Sequence, residues 1–203
     1  MAYRLLREFR QAFTRLDTPP LSIRHHPGSA IAPEEHRQTE ADLRVSGIAF
    51  VLLRNGWYTE NIVAFIPSDL EHGVHLGSAG EGRFATASRA DYAQAVAAVL
   101  TSSEDQDGRI YELAGDEAFT LAQFAAEVAR QSGKPVRYDN LPEAAFRDAL
   151  VGAGLPEPLA AMLADADIAA SKGALFDDEH QLGKLIGRRT TPWAATIAAA
   201  LRG

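Results

Sequence analysis

The chain has 203 residues, with 27 acidic against 20 basic side chains, a formal net charge of −7 and no cysteine. The acidic balance leaves no electrostatic footprint for nucleic acid, and the missing cysteines exclude a disulfide framework, a thiolate nucleophile and a zinc ribbon. Its longest apolar runs, such as Ile48 to Leu53, fall far short of the roughly 20 residues of a membrane span, and a cytoplasmic protein is expected.

Leu5, Leu6, Phe9, Phe13 and Leu16 recur at spacings of three and four, which predicts an amphipathic helix with an arginine face, followed by a loop over 17–32. Pro33 with Glu34 and Glu35 suits the first turn of a helix that runs to about Ser46 and closes at Gly47. Ile48 to Arg54, bounded by Gly47 and Asn55-Gly56, is expected as a central parallel strand buried on both faces. Gly73 to Leu76 and Phe84 to Ala87 are candidate short strands around a hairpin turn at Gly77, Gly80 and Gly82. Asp91 is placed to cap the alanine-rich helix Tyr92 to Leu100, and Arg109 to Leu113 is a further strand candidate. Thr120 and Gln123 make a capping box for a helix over Leu121 to Gln131 that ends at Gly133, before a strand at Val136 to Tyr138. Alternating strands and helices argue for a parallel sheet covered on both faces. Beyond Pro142 the pattern is helical, near 142–151, 156–169, 178–186 and 192–201, the last capped by Thr191 ahead of Pro192.

The chemical motifs are mostly missing. No glycine-rich phosphate loop succeeds a strand, and Gly77 to Gly82 has the wrong glycine order with Glu81 where a phosphate would sit. None of the five tyrosines is followed four residues later by lysine, so a tyrosine acid with a lysine-lowered pKa is excluded. His36 with Glu40 and adjacent His25 and His26 read as helix pairing and solvated loop, and no metal is expected. There is no G-x-S-x-G nucleophile elbow. The informative stretch is Arg54-Asn55-Gly56-Trp57-Tyr58-Thr59-Glu60-Asn61, directly after the best strand candidate. Ligands of open α/β sheets bind at the carboxyl ends of strands, where this loop falls. Gly56 permits close backbone approach, Trp57 and Tyr58 can cover a flat ring, and Asn61 can both donate and accept. The same residues also read as two core aromatics with Asn55 shaping a turn.

Six runs carry a family resemblance: Glu35 to Glu40, Leu53 to Asn61, Leu70 to Val74, Ala87 to Ala93, Tyr111 to Asp116 and Ser171 to Asp178. Together, in preserved order over about residues 34–201, they resemble the type 2 NAD(P)H:quinone oxidoreductases, NmrA-like atypical members of the short-chain dehydrogenase superfamily. The resemblance implies an α/β class, a Rossmann-like doubly wound parallel sheet with a mainly helical carboxyl-terminal lobe. It implies NADPH or NADH as cofactor, a small-molecule quinone as substrate, and direct hydride transfer, which needs stacking geometry more than an acid or base. Gly56, Trp57, Tyr58, Thr59, Glu60 and Asn61 would line the nicotinamide side of the cofactor site. No residue is assigned a catalytic role, and Arg89 is read as shaping a helix entry. The expected organisation is a divergent helix and loop over 1–30, the later part of a NAD(P)-binding domain over 31–140 and a helical substrate-side lobe over 141–203. Family members begin with a strand and glycine-rich loop that residues 1–30 replace, so a truncated chain with impaired reduction is expected. The alternative is a non-catalytic NmrA-like protein that senses dinucleotides or binds a partner. An unpaired sheet edge makes a homo-oligomer possible, with Leu5 to Leu16 packed on the sheet or on a second subunit.

Overall fold

A computed structural model describes residues 34–202. The expected helix at Leu5 to Leu16, the loop after it, His25 and His26 lie outside the described residues.

The elements in chain order are α1 (Glu34–Val45), β1 (Leu52–Asn55), α2 (Thr59–Val63), α3 (Ile66–His72), β2 (Val74–Gly77), α4 (Arg89–Leu100), β3 (Ile110–Leu113), α5 (Leu121–Ser132), β4 (Arg137–Asn140), α6 (Glu143–Gly152), α7 (Glu157–Ser171), α8 (Gln181–Ile186) and α9 (Trp193–Ala200). The α/β class with a helical carboxyl-terminal part is therefore observed. The four strands form two parallel pairs: β1 with β3, Leu52 opposite Ile110, and β2 with β4, Val74 opposite Arg137. Among the described residues no helix is long and apolar enough to cross a membrane.

Local signals explain most boundaries. Gly47 takes the left-handed φ of 68° beyond α1, and Gly133, at φ 71°, ends α5 after the Thr120–Gln123 capping box has opened it. The strand expected over Ile48 to Arg54 is shorter and later. Ile48 is half exposed, and pairing begins only where Gly108 N–H donates to the Phe50 carbonyl at 2.8 Å and Leu52 N–H to that of Arg109 at 2.9 Å.

Three expectations are corrected. The Gly77 to Gly82 segment is not a hairpin turn: Phe84 bridges antiparallel to Phe119 and Ala87 parallel to Tyr58, while β2 pairs with β4. The backbone after β2 is instead held over the end of β4, because Ser78 N–H donates to Asp167 Oδ2 (2.7 Å), Ala79 N–H to Tyr138 Oη (3.2 Å) and Gly80 N–H to Asn140 Oδ1 (2.8 Å). Asp91 is not the cap of its helix. Ser88 is, its Oγ accepting from Asp91 N–H at 3.1 Å, and α4 starts at Arg89. The Asp91 carboxylate is fully buried and accepts from Thr191 N–H (2.9 Å), Thr191 Oγ1 (3.2 Å) and Arg188 Nη2 (2.6 Å). Burial opposes its ionisation, yet the hydrogen bonds from Thr191, Ser88 and Arg188 hold the carboxyl below its usual range. Thirdly, Thr191 does not cap the last helix: its N–H and Oγ1 go to Asp91, and Pro192 occupies the α9 N-cap position without a side-chain hydrogen bond.

The main core lies under β2 and β4. Phe119 is its hub, 4.5 Å from Trp193 and about 6 Å from Phe84 and Phe124 between ring centres, with Ile66, Val128, Ala170 and Ile197 around it. A smaller cluster of Ala87, Tyr92, Ala95, Leu113 and Leu182 supports β1 and β3 through α4 and α8.

Candidate active site

The carboxyl ends of β1 and β3 face the same way, and the site is built from the segments that leave them, Gly56 to Asn61 after β1 and Ala114 to Asp116 after β3. Gly56 N–H extends the ladder by donating to the Leu113 carbonyl at 2.7 Å. A Cβ on Gly56 would lie 3.0 Å from that oxygen and 3.2 Å from Tyr92 Oη, so the glycine is required by the chain's own backbone. Gly115, after β3, is tighter still: a Cβ there would collide with the Thr86 carbonyl. The loop from Trp57 to Thr59 is stitched to Ala87 by Ala87 N–H to Trp57 O (3.2 Å) and Thr59 N–H to Ala87 O (3.0 Å), and the hydroxyls of Thr59 and Thr86 bond at 2.8 Å in the interior.

The loop therefore has two sides. On one, Trp57 is buried in the main core and lines a small cleft together with Gly56, Arg54, Glu112 to Ala114 and Ala174 to Asp177. Three of the motifs singled out in the sequence meet there, although more than fifty residues separate each from the next. Arg54 spans the cleft wall, donating to Glu112 at 2.5 Å and to both carboxylate oxygens of Glu40 at 2.8 and 2.6 Å. Its guanidinium holds the Glu40 carboxyl below the usual range. Arg83 lies over the Phe176 ring, 4.1 Å from its centre, on the far side.

On the other side, Tyr58 meets the buried Tyr92 edge-on at 5.2 Å, and burial raises the pKa of both hydroxyls, keeping them neutral. Arg89 lies over Tyr58, its guanidinium carbon 5.3 Å from the ring centre, and Nη2 donates to Asn61 Oδ1 at 3.1 Å. Glu60 accepts from the Arg89 backbone N–H at 3.0 and 3.2 Å. Asn55 Oδ1, at the end of β1, is buried without a hydrogen-bond partner. The six residues expected to line a cofactor thus divide: Trp57, Thr59 and Glu60 spend their side chains largely on the protein, while Tyr58, Asn61 and the Gly56 backbone remain at the surface of the site. Sequence reasoning named Arg89 for the helix entry and missed that its side chain reaches back over the loop. The run Ala87 to Ala93 carried that signal without its direction.

Quinone oxidoreductase 2 of Escherichia coli K12 is 52% identical to this chain over 190 residues, which make up 92% of this chain and 63% of the relative. The crystal structure of that NADPH-dependent enzyme complexed with NADPH superimposes with a TM-score of 0.81 over 91% of this chain and 62% of the other. Over most of its own length the chain is thus similar to quinone oxidoreductase 2. The solved structures that superimpose on the chain include Rossmann-like NAD(P)-binding reductases. Triphenylmethane reductase of Citrobacter, complexed with NADP(H), is 32% identical with a TM-score of 0.75 over 81% of this chain and 57% of that one. No protein-family model matches the chain. It spans about three-fifths of the length of these relatives.

Proposed function

We propose that the chain forms the nicotinamide and substrate side of an NAD(P)H-dependent quinone reductase in the cytoplasm. The carrying observation is the loop from Asn55 to Asn61, set at the carboxyl ends of the parallel pair β1–β3 beside the cleft that joins the family motifs. The residues fit a nicotinamide: the unpartnered Asn55 Oδ1 suits a carboxamide N–H. Tyr58 and Asn61, with Gly56, Trp57, Thr59 and Glu60 behind them, would position that ring, and the neutral Tyr58 and Tyr92 keep negative charge away from it. A bound NAD(P)H would supply the hydride. The residues 31–140 then serve the cofactor and 141–203 the substrate side.

Amide donors of a glycine-rich loop normally hold the diphosphate, and no such loop occurs in these residues. Ring stacking contributes on the order of 1 kcal/mol beyond burial, against roughly 8 kcal/mol for a micromolar complex. NADPH titrated into the 203-residue chain, monitored by Trp57 and Trp193 fluorescence, is therefore expected to bind no tighter than millimolar. A chimera in which the unmatched part of the E. coli relative is fused to the whole 203-residue chain is expected to bind at micromolar concentration and reduce quinones. A chimera that binds NADPH yet leaves quinones unreduced overturns the reading in favour of a dinucleotide sensor.

A further inference from the structure

Reduction of a quinone by hydride places a negative charge on a quinone oxygen before a solvent proton completes the hydroquinone. A site for this chemistry gains from a fixed positive charge at that oxygen, in a chain whose net charge is −7. Two guanidiniums flank the loop, and their environments differ. Arg54 is neutralised by Glu40 and Glu112, within 2.6 and 2.5 Å. The Arg89 guanidinium has no carboxylate partner among the described residues, and its one hydrogen bond there, to Asn61 Oδ1, leaves other N–H donors open. It is also fixed in place: the Tyr58 ring lies beneath it and Asn61 holds one end. Glu60 meets the Arg89 backbone, which orients the residue.

We propose that Arg89, with Asn61 beside it, is the group that receives the anionic oxygen of the reduced quinone. Resting on the site assignment above, this adds a specificity: flat quinoid rings that carry a negative oxygen are held better than neutral ones. The step balances as hydride from NAD(P)H to the quinone, charge to the oxygen facing Arg89, and a proton from water. Because the α4 cap uses Ser88 Oγ and the Arg89 backbone, changing the side chain leaves the helix start intact.

The test compares binding of 2-hydroxy-1,4-naphthoquinone, ionised at pH 7, with neutral 1,4-naphthoquinone by Trp57 fluorescence, without cofactor, and needs no turnover. The parent chain is expected to prefer the anion about tenfold, the scale of one charge-assisted hydrogen bond. Arg89→Gln should abolish the preference while leaving affinity for the neutral ring within about twofold, and Arg89→Lys should restore part of it. Equal binding of both rings by the parent, or an unchanged preference in Arg89→Gln with an unchanged thermal melt, overturns the role of Arg89 and leaves the site assignment standing. Failure of both rings to bind overturns both.

Discussion

The two strand pairs have the same length and the same parallel sense, but they differ in how they are held. β2–β4 lies on the main core: Gly77 is so closely covered that a Cβ would meet Leu121 Cδ1 at 2.7 Å and Asp167 Oδ2 at 2.8 Å, and His75 is buried with Nδ1 2.8 Å from Asp69 Oδ2. Every residue of β1 is half-buried, Ile110 is 40% exposed, and the pair leans on a cluster of five buried residues and on the Arg54 ion network. The pair on the larger core is expected to carry more of the stability, although β4 itself has no buried residue, and the pair on the smaller cluster carries the candidate site. This is the ordinary division between a scaffold and a site that must accept a ligand.

The contrast breaks most sharply at the cores. Phe124→Ala removes a fully buried ring beneath β2–β4 and should cost about 4 kcal/mol in urea unfolding, whereas Leu53→Ala, on half-buried β1, should cost about 1 kcal/mol. Equal losses would mean that the two pairs are equally supported.

A pH effect belongs to the tighter pair. Burial pushes the Asp167 carboxyl up to about 6, only partly offset by the Ser78 amide. The folded state thus binds this proton more tightly than the unfolded state. Its contribution is full below the ordinary value of 3.8 and is lost as pH rises through about 6. Asp167→Asn, which keeps an oxygen for the Ser78 amide, should match the parent near pH 4 and exceed it by about 2 kcal/mol at pH 8. Parallel pH–stability curves would place the ionised group elsewhere.

The smallest effect sharpens the looser pair. Arg54→Gln leaves Glu40 and Glu112 without their guanidinium and should cost about 1 kcal/mol, since the network is partly exposed. The same change should return the Glu40 carboxyl towards its ordinary value and speed proteolysis at α1, which Arg54 ties to β1. An unmoved Glu40 titration by NMR would mean that Arg54 is not what holds it.

The capping box of α5 and the glycines that end α1 and α5 were legible because they depend on neighbours in sequence. Thr120 and Gln123, Gly47 and Gly133 do in the fold what their local chemistry dictates. The Gly77 to Gly82 segment misled because glycines favour any turn, and whether one is a hairpin depends on which strand pairs next; here it is β4, about 60 residues on. Asp91 misled for a similar reason, since a carboxylate near a helix start serves as a cap or as an anchor for a distant partner, and Thr191 and Arg188 are about a hundred residues away.

By itself the sequence determined the alternation of elements and the α/β class, and its ordered motifs carried the resemblance to the quinone oxidoreductases. The first two rest on local periodicity and capping, the third on motif similarity alone. Only the tertiary structure decided that the strands form two pairs, that Trp57 and Thr59 are largely used by the protein, and that the Arg89 guanidinium lies open over Tyr58. Those are facts of long-range packing and of which charges find partners, and a linear order of residues does not encode which distant groups will share a hydrogen bond.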